Sequence, residues 1–376
     1  MRSARSAGAW FAAMASVAVM KTGAAGGYHL LQKVSVVPGD GLSDYVSVDS
    51  VNRRVYCSHG DETVVLDADT GSVIVRIPTP PSDPSNGRDE PGRTTPFMGV
   101  HHVAIASELG RGFTANGRAG TSTIFDLKTL ARIGEVKVTG KDPNAIVYDA
   151  LTQHVFTFNE ASNNATVFDA RGGNVVATLE LGGRPAFATS DDQGHLFVNL
   201  IDKQAVLPID SRNLSTGGPW PVSACDGPYN ETMAIDKIHE RLFVGCRPDY
   251  RRMLAPPGPR PNRVMAVLDA TSGRVIATLP IGGNPDQADF DPGTGLAFSA
   301  NGEGTVTVIK EESPDRFRVL ETAQTEPGAL RIAVDRKTHK IFVPNADPGI
   351  VPPATPENPN PPPGPPRNFR VLILGT

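Results

Sequence analysis

One aromatic position recurs seven times along the chain, and this recurrence constrains the fold more than any other feature. The positions are Tyr56, Phe113, Phe156, Phe197, Phe243, Phe298 and Phe342, spaced by 57, 43, 41, 46, 55 and 44 residues. Around each lies the unit seen in Val100–Leu127, where three short apolar strands are separated by two turns. Seven residues before the aromatic stands Asp49, Asp149, Asp236, Asp291 or Asp335. The third strand ends in Asp67, Asp126, Asp169, Asp210 or Asp269, followed by a turn such as Thr70-Gly71 or Ser272-Gly273 and by a fourth strand. One such unit cannot bury both of its faces. Seven copies of about 43 residues therefore predict an all-β fold, a seven-bladed β-propeller with four antiparallel strands per blade. The 38 glycines and 34 prolines supply the turns that such a fold needs. The repeated third-strand Asp is expected to be a turn residue that accepts backbone N–H groups, not a catalytic one.

The two ends of the chain complement each other. Tyr28–Pro38 has the pattern of a fourth strand without its first three, and Phe369–Leu374 that of a third strand without a fourth. Together they complete the last blade and close the ring, which removes the open sheet edges. The expected single domain is 27–376.

Residues 1–26 read differently. Arg2 and Arg5 precede an apolar run, Trp10–Met20, too short to span a bilayer, and small residues follow it. This is the pattern of a secretory signal peptide, and it predicts a periplasmic or secreted protein. Loss of Arg2, Arg5 and Lys21 takes the formal charge from −4 to −7. That balance argues against non-specific nucleic-acid binding, which depends on neutralising phosphates. No later segment is apolar enough to span a membrane, and a monomer is expected. Export also permits a disulfide. Cys225 precedes the first strand of blade five and Cys246 ends its second, so adjacent antiparallel strands bring them to one edge; Cys57 is expected to be a buried free thiol.

The chain resembles the YVTN-repeat, YncE-like seven-bladed propellers over roughly Tyr28 to Thr376. The likeness is carried by Arg54-Val-Tyr56-Cys-Ser, by Thr166-Val-Phe-Asp169, by Leu242-Phe-Val-Gly-Cys246 and by Phe290-Asp-Pro-Gly-Thr-Gly-Leu-Ala-Phe298. It implies an exported propeller and says little about chemistry, since that family's functions are diverse. The chain departs from the pattern by three Pro-rich insertions, 78–98, 247–263 and 346–367. By strand order all three emerge on one face, the face where the innermost strands begin.

The first residues of the innermost strands should ring the channel mouth on that face. Counted back from the aligned Asp, they include Asp44, Tyr45, His101, His102, Asn144, Glu231, Asp286 and Arg331, with Arg184 just before its strand. Ends of second strands add His59, Asn116, Glu160, Asn301 and Asn345. His101 and His102 are consecutive on a strand and should point to opposite sides, so joint chelation of one ion is not expected; a divalent metal held by a mouth histidine with Glu160 or Glu231 has suitable ligand types. No cofactor motif, no GxSxG and no CxxCH occurs in the chain. Two functions follow. One is a binding protein that takes a small molecule or a protein on the insertion-bearing face. The other is an enzyme of small molecules, a metal-assisted hydrolase, lactonase or lyase, with its site at the channel mouth.

Overall fold

A computed structural model describes residues 26–81, 83, 99–225, 229–247, 263–353, 355, 361 and 364–376. They form seven antiparallel sheets arranged as the blades of a propeller. Blade one runs Ser43–Asp49, Arg54–His59, Glu62–Asp67 and Val73–Pro78, from the channel outward. Blades two and three start at His102–Ala106 and Pro143–Asp149. Blade four starts at Pro185–Ser190, and its outer edge is split into Ser215–Thr216 and Trp220–Pro221. Blade five runs Tyr229–Asp236, Arg241–Arg247, Val264–Asp269 and Val275–Pro280, and blade six starts at Pro285–Asp291. The last blade is built as its two end patterns require. Ala333–Val334 is innermost, Ile341–Asp347 and Arg367–Gly375 follow, and His29–Ser35 is the outermost strand.

The core does not lie inside any one blade. All seven recurrent aromatics are buried, and each packs across an interface between neighbouring blades. Tyr56 and Phe125 join blades one and two, Phe113 and Phe168 blades two and three, Phe243 and Phe290 blades five and six. At the closing interface Phe342, Phe369, Val371 and Ile373 meet Val46, Val55 and Val64. Burial therefore rewards the ring and not the isolated unit, which is the physical reason for a repeat.

The recurrent third-strand Asp acts as expected. Asp67 Oδ1 accepts the N–H groups of Asp69 and Thr70 at 3.0 and 2.7 Å, and Asp126, Asp210 and Asp269 repeat the motif. Four residues past this Asp the backbone is left-handed, with φ of 77° at Gly71 and 71° at Gly273; Leu130 and Leu214 take the same conformation in blades two and four.

The insertions leave and rejoin the fold on one face. Pro78 ends a fourth strand, Arg247 and Arg263 flank the second insertion, and Asp347 pairs with Arg367 at the base of the third. Most insertion residues, and the expected signal over 1–25, lie outside the described residues. No helix among the described residues is long and apolar enough to cross a membrane.

Cys225 and Cys246 are bridged, with their Cα atoms 5.3 Å apart, and Cys57 is free and buried. Burial pushes the Cys57 thiol up to about 12. After denaturation without reductant, alkylation should label Cys57 alone. A Cys225→Ser/Cys246→Ser variant should lose about 3 kcal/mol, as expected for opening a loop of this size. Three labelled thiols by mass spectrometry would show that no bridge forms.

Candidate functional site

The first residues of the innermost strands meet on the insertion-bearing face and form a chain of alternating charge. Asp142 Oδ1 lies 3.3 Å from His101 Nε2, and His101 Nδ1 lies 2.6 Å from Asp44 Oδ2. Arg331 donates to Asp44 Oδ1 through Nη2 at 2.6 Å and Nε at 2.9 Å, and through Nη1 to Asp286 Oδ2. Arg247 Nη1 stands 3.2 Å from Asp286 and 3.4 Å from Glu231. A second group holds Glu160 between Asn144 Nδ2 at 2.5 Å and Arg184 Nη2 at 2.7 Å. The His101 ring packs so closely over the blade-two turn that a Cβ at Gly117 would lie 2.5 Å from its Nε2. Position 117 therefore has no room for a side chain.

The electrostatics follow from this pairing. Burial opposes the charge on His101, yet Asp142 and Asp44 raise its imidazole to about 10. Burial likewise works against Asp44, but Arg331 and His101 hold its carboxyl below the usual range. Glu231 goes the other way: burial raises its carboxyl, and Arg247 offsets this only in part.

Beneath the charged layer lies an aromatic floor. His102 points away from His101, as strand alternation requires. Its ring is 5.1 Å from Tyr45 and 5.4 Å from Phe187, and the Tyr45 and Phe187 rings are 5.2 Å apart. Burial lowers the His102 imidazole to about 4 and raises the Tyr45 phenol, so both are neutral near pH 7. The Arg331 guanidinium covers Tyr45 at 5.1 Å. Gln287 ties this layer to the backbone of two blades, accepting from Val46 N and Ile332 N and donating to Val46 O. Below the floor is a 270 Å³ channel lined by Ser47, Ile105, Tyr148, Thr189 and Ile235, with Asp192, Lys237 and Arg336 at the rim on the opposite face.

The residues expected at the mouth thus divide. Asp44, His101, Glu231, Asp286 and Arg331 form the charged chain, with Asn144, Glu160 and Arg184 beside it. Tyr45 and His102 lie below. His59 stands apart: it stacks on Phe369 of blade seven at 4.4 Å and lies 3.7 Å from Glu62. Asn116 and Asn301 are structural, each donating to two threonine hydroxyls of its own blade. Asn345 binds Glu326. Among the described residues, the mouth histidines form no cluster of metal-ligating atoms with Glu160 or Glu231.

Two members of the chain were not anticipated. Asp142 stands just before Pro143, as Arg184 and Asn284 stand before Pro185 and Pro285, and the repeat fixes its place but not its charge. Arg247 reads as part of a basic insertion, although it falls four residues after its aromatic, the same count as Glu160.

No family model matches the chain. No curated protein matches it either. Solved structures do. A chain of the mitotic checkpoint complex aligns over 100% of this chain and 99% of its own, with a TM-score of 0.68 at 11% identity. U3-55K aligns over 93% and 100%, with a TM-score of 0.69 at 11% identity. The Pan2 WD40 domain of Neurospora crassa aligns over 92% and 95%, with a TM-score of 0.66 at 12% identity. At such identities the likeness establishes the propeller fold alone, with WD40-type neighbours. The resemblance to YVTN-repeat propellers has no support from these comparisons.

Proposed function

We propose that this is an exported propeller that binds a protein partner on its insertion-bearing face. The observation that carries the reading is the state of the mouth beneath that face. Asp44, His101, Asp142, Asp286 and Arg331 compensate one another, so the channel is capped by a stiff polar plate. Such a plate, framed by the roots of three Pro-rich insertions, suits contact with a surface. Some of the similar solved chains are WD40 propellers, and one belongs to a multiprotein complex, which agrees with a protein partner. The Cys225–Cys246 bridge supports an oxidising compartment, in keeping with the signal pattern of residues 1–26. An enzymatic site at the mouth would need a free acid or base. Glu231 comes nearest to one, and Arg247 is already paired with it.

The test compares partner capture by three proteins from the native compartment: wild type, a variant with 348–366 excised, and Lys237→Ala/Arg336→Ala on the opposite face. Capture of a defined protein should fall at least about tenfold on excision, an ordinary loss for an interface hot spot, and should be unchanged in the double variant. Full capture after the excision, or loss only in the opposite-face variant, would overturn the reading.

A further inference from the structure

On the face opposite the insertions, the repeat breaks its own rule at one interface. In five blades the residue after the third-strand Asp is small or apolar and buried: Ala68, Leu127, Ala170, Ser211 and Ala270. Its role is visible between blades three and four, where Ser211 Oγ donates to Asp149 Oδ2 of the preceding blade at 2.8 Å. In blade six the register puts Lys310 at the Asp position, opposite Leu296 as Asp269 is opposite Arg241. The next residue is Glu311. It directs a carboxylate at Asp236, the blade-five counterpart of Asp149, where blade four has a serine hydroxyl and the other blades a small or apolar side chain.

The third residue of the hairpin after that Asp is unusual as well. Asn52, Thr152, Thr294 and Thr338 occupy this position in four other blades, and each donates to its own Asp. Blade five has His239. Its Nδ1 is 2.5 Å from Asp236 Oδ2 and 3.1 Å from Glu311 Oε1.

Two carboxylates therefore face each other with one imidazole between them. The side chains of Asp236 and Glu311 are 2% and 3% exposed, and His239 is 43% exposed. Neither oxygen of Glu311 accepts a hydrogen bond among the described residues. Burial, with Asp236 opposite, pushes its carboxyl up to about 7. The nearby Arg241 is turned away to Asp269 and Asp315. One ligand atom from each of the three residues lies within 4.8 Å of the others. A 300 Å³ cavity lined also by Ile238, Phe290 and Pro314 adjoins them.

We propose that Asp236, His239 and Glu311 form a binding site for a divalent transition-metal ion of the zinc or manganese class. Two facing buried carboxylates, of which Glu311 has no hydrogen-bond donor, call for a cation. The imidazole nitrogen favours a borderline metal over calcium or magnesium, which take oxygen ligands. Binding replaces the His239 Nδ1 proton and leaves the remaining coordination positions to water in the adjoining cavity. The site is independent of the insertion-bearing face and stands whether or not a partner binds there.

Calorimetric titration of tag-free, chelator-stripped protein with zinc chloride and manganese chloride tests the assignment. Roughly one equivalent should bind, as for a three-ligand site with an open position. Glu311→Ser and His239→Thr install the residues that blades four and three hold at these positions, so both variants should fold. Glu311→Ser should abolish binding, and His239→Thr should weaken it by more than about tenfold. The metal should raise the melting temperature of wild type and leave that of Glu311→Ser unchanged. Folded wild type that binds neither metal would overturn the proposal, as would a Glu311→Ser variant that binds as tightly as wild type. Calcium binding tighter than zinc or manganese would overturn the metal class.

Discussion

A chain that lacks Tyr28–Pro38 should not yield a soluble monomer. Its missing strand, His29–Ser35, pairs with Arg367–Gly375 from His29 opposite Gly375 to Ser35 opposite Arg370. Without it the strand bearing Val371, Leu372, Ile373 and Leu374 becomes an open edge, long and apolar, of the kind that recruits other chains. Tyr28 adds a lock: its ring meets Phe298 edge-on at 5.0 Å and its hydroxyl donates to His339 O at 2.8 Å. Tyr28→Ala alone should remain soluble and lose about 3 kcal/mol, the lower end for a buried aromatic. Light scattering and thermal melts separate these results. A soluble deletion variant with the wild-type midpoint would mean that the N-terminal strand does not hold the ring shut.

Arg331→Ala should be the most damaging single substitution at the mouth, at about 3 kcal/mol, because it removes the cation shared by two carboxylates that are 8% and 3% exposed, leaving Asp44 with His101 and Asp286 with Arg247. Arg331→Lys should recover only part of this, since one ammonium cannot reproduce the planar fork that spans both acids. Denaturant titration measures the loss. A change below about 1 kcal/mol, the scale of exposed pairs, would mean that solvent already screens these charges.

The same network fixes the pH dependence. His101 is raised above its unfolded value of about 6.5, so its stabilisation is complete below that pH and is lost as pH rises through about 10. Asp44 is lowered, so its contribution is present above the ordinary carboxylate range and is lost as pH falls through its depressed value. Stability should therefore decline from pH 6.5 towards 10, and His101→Gln should flatten that limb while leaving the acid limb in place. Parallel curves for the two proteins would show that His101 carries no charge in the fold.

The fold was legible because its signal is redundant. Seven aromatics, the turn aspartates and the matching half-blades at the two ends each point to the same ring. The mouth was legible in position but not in chemistry. Counting from Asp49 or Asp291 places Asp44 and Asp286, but the count cannot say that Arg331 reaches back to join them across the closing blade. Non-repeating side chains were the hardest. Asp142 is matched in place by Arg184 and Asn284 but not in charge, and Arg247 was masked by the basic run that follows it. Glu311 was invisible because its oddity appears only once the strand register shows which residue it replaces. His59 failed for a different reason: its ring turns onto Phe369 of blade seven, whereas Glu160 and Arg247, one place farther past their aromatics, reach the mouth.

Closure by the two ends also sets an order in time. His29–Ser35 is among the first segments of the described chain to be made, and its partner Arg367–Gly375 is the last. Every other blade can form from neighbouring sequence as it is synthesised, but this one must wait for the whole chain. Its closing contact joins His29–Ser35 to Arg367–Gly375 across the whole sequence of the other blades, so ring closure is slower than pairing within a blade.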